Sequence, residues 1–315
     1  MRIAFNSFPD SLVNQLSLLN SQQARLESEV DTGKSVSQLS DNPPVMQQVL
    51  GWQVQNSSTA QYQQNISALQ EQATSSYNAI NSLQTLSARA STIATEAGGA
   101  ASPADLAAYA SEVNQLIQEG LQDANSQTAQ GEYLFGGTRN SQPPFVATTD
   151  ASGNVTAVTY QGNESVPSAE VAPGYSLSAQ VPGANTSGNG PAGVITDSST
   201  GADFFNHLIA LRNDLQAGNT QAIASTDQPA LAKDEDNITA QISANGLIQS
   251  QLNDASTVAS TQSTAVTQDI SQASDANMAT TLTQLSSLQT AYQAALESAG
   301  SLFNSNLSLM TYIEL

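Results

Sequence analysis

The stretch LTQLSSLQTAYQAALESAGSLFNSNLSLMTYIEL, residues 282–315, decides how the chain is read. Steps of alternately three and four residues from Leu282 land on Leu285, Gln289, Tyr292, Leu296, Ala299, Phe303, Asn306 and Met310. That is an apolar heptad seam with two amide interruptions, and such a seam buries itself only against another helix. The other end of the sequence carries a second one, because the same steps from Leu12 reach Leu16, Leu19, Gln23, Leu26 and Val30. The simplest fold pairs the two ends and treats the middle as an excursion.

Within that excursion, Asn42 and Pro43 supply an N-cap and a first helical turn. The predicted helix runs through Val45, Val49, Trp52, Tyr62, Ile66, Leu69, Ala73, Ser76, Ile80, Leu83, Ser87, Ala90 and Ala94 to Gly98. At about 1.5 Å per residue it is on the order of 80 Å long. Ser102, Pro103 and Asp105 start the next helix, close to a capping box. Its face of Leu106, Tyr109, Val113, Leu116, Gly120 and Ala124 is expected to continue up to Gly131, and the short joint predicts an antiparallel hairpin.

Two strand-like runs then flank the turn Asp150–Asn154, and the chain to about Gly201 is rich in Gly, Pro, Ser and Asn. Helix returns with Phe204, Leu208, Leu211 and Leu215, ends at Gly218, and restarts near Pro229 with Leu231, Ile238, Ile242 and Leu252. Between Asn253 and Thr281 the stripe thins to Val258, Ala259, Val266 and Ile270, so this stretch is expected to be loosely held. The fold class is mainly α with a small β insertion: an elongated helical rod with paired N- and C-terminal coiled-coil helices. The expected domains are a terminal coiled coil (1–40 and 275–315), a helical rod (41–135 and 203–274) and a β-rich insertion (136–202).

Composition removes several function classes. Only 11% of the 315 residues are charged, yet the net charge is -20, because 7 Lys and Arg face 27 Asp and Glu. Nucleic acid and anionic membrane surfaces need clustered bases and are not expected partners. No apolar run reaches the roughly 20 residues of a membrane span, so no membrane insertion is expected. The opening MRIAFNSFPDSLVNQLSL has no signal-peptide core, which predicts that any export uses no cleaved signal. The absence of cysteine rules out thiolate metal sites and thiol catalysis.

Three motifs look chemical and are read otherwise. His207, the single histidine, sits in the apolar helix FFNHLIALRNDL, which points to packing and to no catalytic role, metal or cofactor. TGKSVS at 32–37 lacks the first glycine of a phosphate loop, since Ser28 stands there, so Gly33 reads as a helix C-terminus. KDEDN at 233–237 reads as a solvated acidic face near a helix start.

GEYLFGGT at 131–138 with PPF at 143–145, DTGK at 31–34, LSDNPPV at 39–45, FFNHLIALRNDLQAGN at 204–219 and SLMTYIEL at 308–315 resemble the bacterial flagellin family, and within it the members of the hook-filament junction. The sequence departs from the family pattern at Asn42, where an acid is usual, at Pro44, and after Gly246, where an arginine is usual. The resemblance implies a structural protein, not an enzyme, that is exported unfolded by the flagellar type III apparatus and adapts hook to filament. It implies self-assembly into a ring, contact with another hook-associated protein on the hook side and with flagellin on the filament side, and an export chaperone at the C-terminal segment. Leu12, Leu16, Leu19, Leu26, Val30, Leu282, Leu285, Tyr292, Leu296 and Phe303 are the expected assembly interface. Tyr133 and Phe135 are expected to pack the joint between rod and insertion, with Gly136 and Gly137 as its hinge, where the backbone bends in a way closed to residues with Cβ. A flagellin filament subunit and a secreted coiled-coil translocator or adhesin are the alternative readings.

Overall fold

The computed structural model describes residues 7–99 and 101–313, with side-chain surroundings for 11–99 and 101–301. The helices are α1 (Ser7–Thr32), α2 (Pro43–Ala97), α3 (Pro103–Ala124), α4 (Phe204–Ala217), the single turn α5 (Thr220–Ala222), α6 (Gln228–Ser274) and α7 (Met278–Ile313). A π-helical turn, Ile223–Asp227, sits between α5 and α6. Among the described residues no helix is long and apolar enough to cross a membrane. The chain divides into two compact units, Met1–Ser58 with Gln262–Leu315, and Thr59–Thr261.

In the first unit α1 packs along α7. Gly33 ends α1 in the left-handed region (φ +69), as its place after the seam predicts. Beyond it the chain makes a short backbone splice with the segment before α7: Ser35 N–H donates to the Ser274 carbonyl (2.7 Å) and Ala276 N–H to that of Gly33 (2.8 Å). The end of α1 therefore meets the start of α7, and the two run antiparallel. Asn42 caps α2, its side chain accepting from the Val45 amide (3.4 Å).

The second unit holds the large core. Along α2 the buried line is Ile66, Leu69, Ala73, Ser76, Ile80, Leu83, Ser87, Ala90 and Ala94, each where the spacing places it. Ser102 and Asp105 form a complete capping box at α3, and the Arg89 guanidinium grips both carboxylate oxygens of Glu112 (2.6 and 2.9 Å) to tie α3 to α2. The helix α3 stops at Ala124, short of the expected Gly131. The cause is Asn125, whose amide group donates to the Phe145 carbonyl (2.8 Å) and accepts from the Phe145 amide (3.0 Å) as a neighbouring strand would.

The insertion is a set of small sheets. β1 (Phe145–Thr149) and β2 (Val155–Tyr160) form the expected hairpin around Asp150–Asn154. β3 (Ala169–Ala172) pairs antiparallel with β4 (Tyr175–Leu177), and β5 (Ala184–Asn185), β6 (Thr196–Asp197) and β7 (Ala202–Asp203) form the order β5-β6-β7. Phe145 stacks at a tilt on Tyr160 and Phe205, with ring centroids 5.1 and 5.7 Å apart, which seats the hairpin on α4.

One expectation needs correction. KDEDN is not a solvated face, because Asp234 and Asn237 are buried on the side of α6 that meets the loop 193–203. There Asp234 accepts the Asp203 amide (2.7 Å), and the Asn237 side chain donates to the carbonyls of Gly193 and Val194 (2.9 and 3.1 Å). A loop with unpaired backbone groups needed polar partners from the helix. The thin stretch after Asn253 is part of α6 as far as Ser274, with Ala259 and Val266 buried and Val258 pointing outward.

Candidate functional site

The helix pair of the first unit carries the described residues at which an assembly interface is expected. On α1 the half-buried or buried positions are Leu12, Leu16, Leu19, Gln23, Leu26 and Val30, which keep the predicted spacing, together with Glu29. On α7 the side facing inward is Thr281, Leu285, Leu288, Tyr292, Ala295 and Ala299. Leu285 and Tyr292 are where the sequence puts them. Leu282 and Leu296 are not in this seam: they remain 49% and 46% exposed, one residue out of phase. Gln289 is likewise exposed, and Phe303, Asn306 and Met310 have side chains outside the described residues.

The physical reason is that α7 has apolar residues on two adjacent phases. Small residues (Thr281, Ala295, Ala299) let α1 approach, whereas the larger Leu282 and Leu296 belong to a second line that also contains Met278. That second line is open. The sequence shows both lines, and only the positions of the small residues mark which one closes.

The second site is GEYLFGGT. Phe135 and Leu134 are buried and Tyr133 is half-buried, so the joint is packed. It is also held by backbone bonds: Leu134 N–H donates to the Ser126 carbonyl (3.0 Å), Asn163 N–H to that of Gly136 (3.1 Å), and Gly183 N–H to that of Phe135 (2.9 Å). The Tyr160 hydroxyl donates towards the carbonyls of Phe135 and Asn163, each at 2.9 Å, and burial pushes that phenol up to about 12. A Cβ on Gly136 would lie 2.5 Å from the Arg139 carbonyl oxygen, and one on Gly137 2.2 Å from that of Asn163. Both glycines are therefore required by close backbone approach, and Gly137 also by its φ of +64.

His207 has a role that sequence spacing did not reveal. Its Nδ1 bonds the buried Asp234 carboxylate at 2.8 Å, joining α4 to α6. Burial opposes a charge on His207, but Asp234 outweighs it and holds the imidazole above its ordinary value. This is a packed ion pair with no further ligands: among the described residues no group of His, Cys, Asp and Glu could hold a metal ion.

No family model matches the sequence, and no curated protein matches it. Solved structures do. One is a protein assigned as a flagellar hook-associated protein from Vibrio parahaemolyticus, with 21% identity and a TM-score of 0.64, the match covering 75% of this chain and 100% of that one. FlgL of Bacillus cereus matches with 20% identity and a TM-score of 0.56, covering 70% of this chain and 99% of its own. The flagellar junction protein FlgL from Legionella pneumophila matches with 13% identity and a TM-score of 0.56, covering 72% and 100%.

The chain has the hook-associated protein fold. In this hook-associated fold the two features built above fall in different units: the helix pair in the first, the glycine joint in the second.

Proposed function

We propose that this protein is a structural adaptor of the bacterial flagellum that joins hook to filament and assembles as a ring through its terminal helices. The observation that carries this reading is the line Met278, Leu282 and Leu296 on α7, exposed beside a seam that α1 already fills. A helix with one apolar line satisfied inside the chain and a second left in water favours burial against another molecule. Leu282 and Leu296 then make contacts between subunits, while Leu12, Leu16, Leu19, Leu26, Val30, Leu285 and Tyr292 hold the pair within each subunit. The likeness to hook-associated and junction proteins supports the flagellar setting.

On this reading the hook side meets another hook-associated protein and the filament side meets flagellin. The protein works outside the cell, reaches it without a cleaved signal, and has its C-terminal segment held by an export chaperone before then. It catalyses no reaction and carries no cofactor. The packed GEYLFGGT joint fixes the direction in which the β insertion leaves the helices, with Gly136 and Gly137 as the pivot of any bend.

Purified protein added to isolated hooks tests this. Binding confined to hook ends, followed by filament growth when flagellin is added, is the expected result. Free polymerisation into long filaments without hooks would identify a filament subunit, and no binding to hooks would remove the adaptor role.

A further inference from the structure

Asparagine is followed by glycine twice in the sequence, at Asn189–Gly190 and Asn245–Gly246. Such a pair is open to attack by its own backbone: the next main-chain nitrogen can close a five-membered ring on the side-chain carbonyl carbon, and glycine has no Cβ to obstruct the approach. The fold gives the two pairs opposite surroundings.

Asn245 lies inside α6 and is 2% exposed. Its Nδ2 donates to the Ala73 carbonyl on α2 (3.1 Å) and its Oδ1 accepts from Gln249 (2.6 Å), so both ends of the amide are held. The Gly246 nitrogen, well inside the same helix, is engaged in the helical ladder. Neither group can turn towards the other unless α6 opens.

Asn189 and Gly190 are exposed, at the tip of the loop between β5 and β6. The root of that loop is fixed, because Glu164 accepts the amides of Thr186 and Ser187 (2.7 and 3.3 Å) and Asn185 accepts that of Gly188 (3.0 Å). The tip is not. Among the described residues the Gly190 amide has no hydrogen-bond partner, and a Cβ built on Gly190 would meet nothing within 4 Å. A single exposed bond, from Nδ2 to the Ser187 carbonyl (3.2 Å), tethers the Asn189 side chain. Nucleophile and electrophile are both free to move, on a base that keeps its place.

We propose that Asn189 is a self-modification site, which the folded chain converts to aspartate and isoaspartate while it protects Asn245. The Gly190 nitrogen loses its proton and attacks Asn189 Cγ. The N–Cγ bond forms, the Cγ–Nδ2 bond breaks, and Nδ2 takes up a proton and leaves as ammonia. Water then opens the succinimide at either carbonyl. One water is consumed and one ammonia released, with no oxidant or reductant. Each event adds one negative charge to a chain already at -20, and the isoaspartate branch lengthens the main chain at the loop tip. The bonds from Glu164 and Asn185 lie outside the reacting unit and leave the core of the insertion as it is. This inference does not depend on the flagellar reading.

The test is incubation of the full folded chain at mildly alkaline pH, followed by peptide mapping by mass spectrometry and by methylation with a protein-isoaspartate methyltransferase and labelled S-adenosylmethionine. Amide-to-acid conversion and methyl acceptance are expected in the segment holding Asn189, at least about tenfold faster than in the segment holding Asn245, since opening a core helix costs more than 1.4 kcal/mol. In urea, which opens α6, the Asn245 segment is expected to catch up. Asn189→Gln, whose side chain would need a six-membered ring, is expected to lose methyl acceptance from its segment with no change in thermal midpoint. No conversion at Asn189 in the folded chain, equal rates at the two asparagines in the folded chain, or undiminished methyl acceptance in Asn189→Gln overturns the proposal. So does a difference between the two segments that persists in urea, which would assign it to neighbouring sequence and not to the fold.

Discussion

Arg212 Nη1 donates to the Val155 carbonyl at 2.6 Å from a position only 3% exposed. The same nitrogen reaches Asn114 Oδ1 on α3 (3.2 Å), and Nη2 reaches Asn213 Oδ1 (2.8 Å). One buried guanidinium thus ties α4, α3 and the first residue of β2 together without a carboxylate in bonding contact, and burial holds its pKa below the ordinary arginine value. Arg212→Met leaves the Val155 carbonyl without its charged donor and is expected to cost about 2–4 kcal/mol. Arg212→Lys keeps the charge but loses the planar fork, and should recover only part of that. The midpoint of urea unfolding measures both, and an unchanged midpoint in the Met variant would show that the hairpin is seated by Phe145 alone.

The glycine joint makes a paired prediction. Gly131 and Gly137 both have positive φ (+85 and +64), but a Cβ on Gly131 meets nothing within 4 Å, while one on Gly137 runs into the Asn163 backbone. Gly131→Ala should therefore cost only the left-handed penalty, about 1–2 kcal/mol. Gly137→Ala must in addition move backbone and should cost clearly more. Equal shifts in thermal midpoint for the two variants would mean that the loop gives way easily and that close approach does not hold it.

How far the sequence reveals this protein depends on the range of the contact involved. The faces of α2 and α3 were legible because Ile66, Ile80, Leu83, Val113 and Leu116 recur at helical spacing, and the β1–β2 turn because Asp150–Asn154 interrupts two alternating runs. The inner phase of α7 was not, because leucines stand on both lines and only the small residues Thr281, Ala295 and Ala299 distinguish the closed one. The bond between His207 and Asp234 spans 27 residues and crosses a π turn that no periodicity announces. Asn125 ended α3 early through a bond to Phe145, 20 residues away, which a local reading of helix propensity cannot see.

The two lines on α7 separate folding from assembly. Leu26→Asp puts a carboxylate into the closed seam and should cost several kcal/mol, melting the α1–α7 pair in the isolated chain. Leu296→Asp changes an exposed position and should leave monomer stability within about 0.5 kcal/mol. It should nevertheless abolish incorporation into the flagellum, because the charge would have to be desolvated between subunits. Circular dichroism of the monomer together with motility in a complemented strain distinguishes them. A Leu296→Asp protein that assembles normally would show that the open line is not an interface.

Thin burial also predicts where the isolated chain opens first. On α7 the buried residues among those described are Thr281 and Ala299, both small, and on α1 Leu26 and Glu29. The remaining seam residues are half-exposed, whereas the α2, α3 and α4 core buries Ile80, Leu83, Val113, Ile117, Phe204 and Leu208 completely or almost so. Fixing each residue costs about 1–2 kcal/mol of conformational entropy, and a half-buried seam offsets that far less than a closed core does. Amide hydrogens of α1 and α7 should therefore exchange through local opening long before those of α2 and α3. In an assembled ring, burial of Leu282 and Leu296 should slow exchange along α7 while leaving the second unit unchanged. Slow exchange at Leu285 and Tyr292 in the monomer, matching that of Leu83 and Val113, would mean the helix pair is fully stable alone, and assembly would then dock a finished surface instead of completing one.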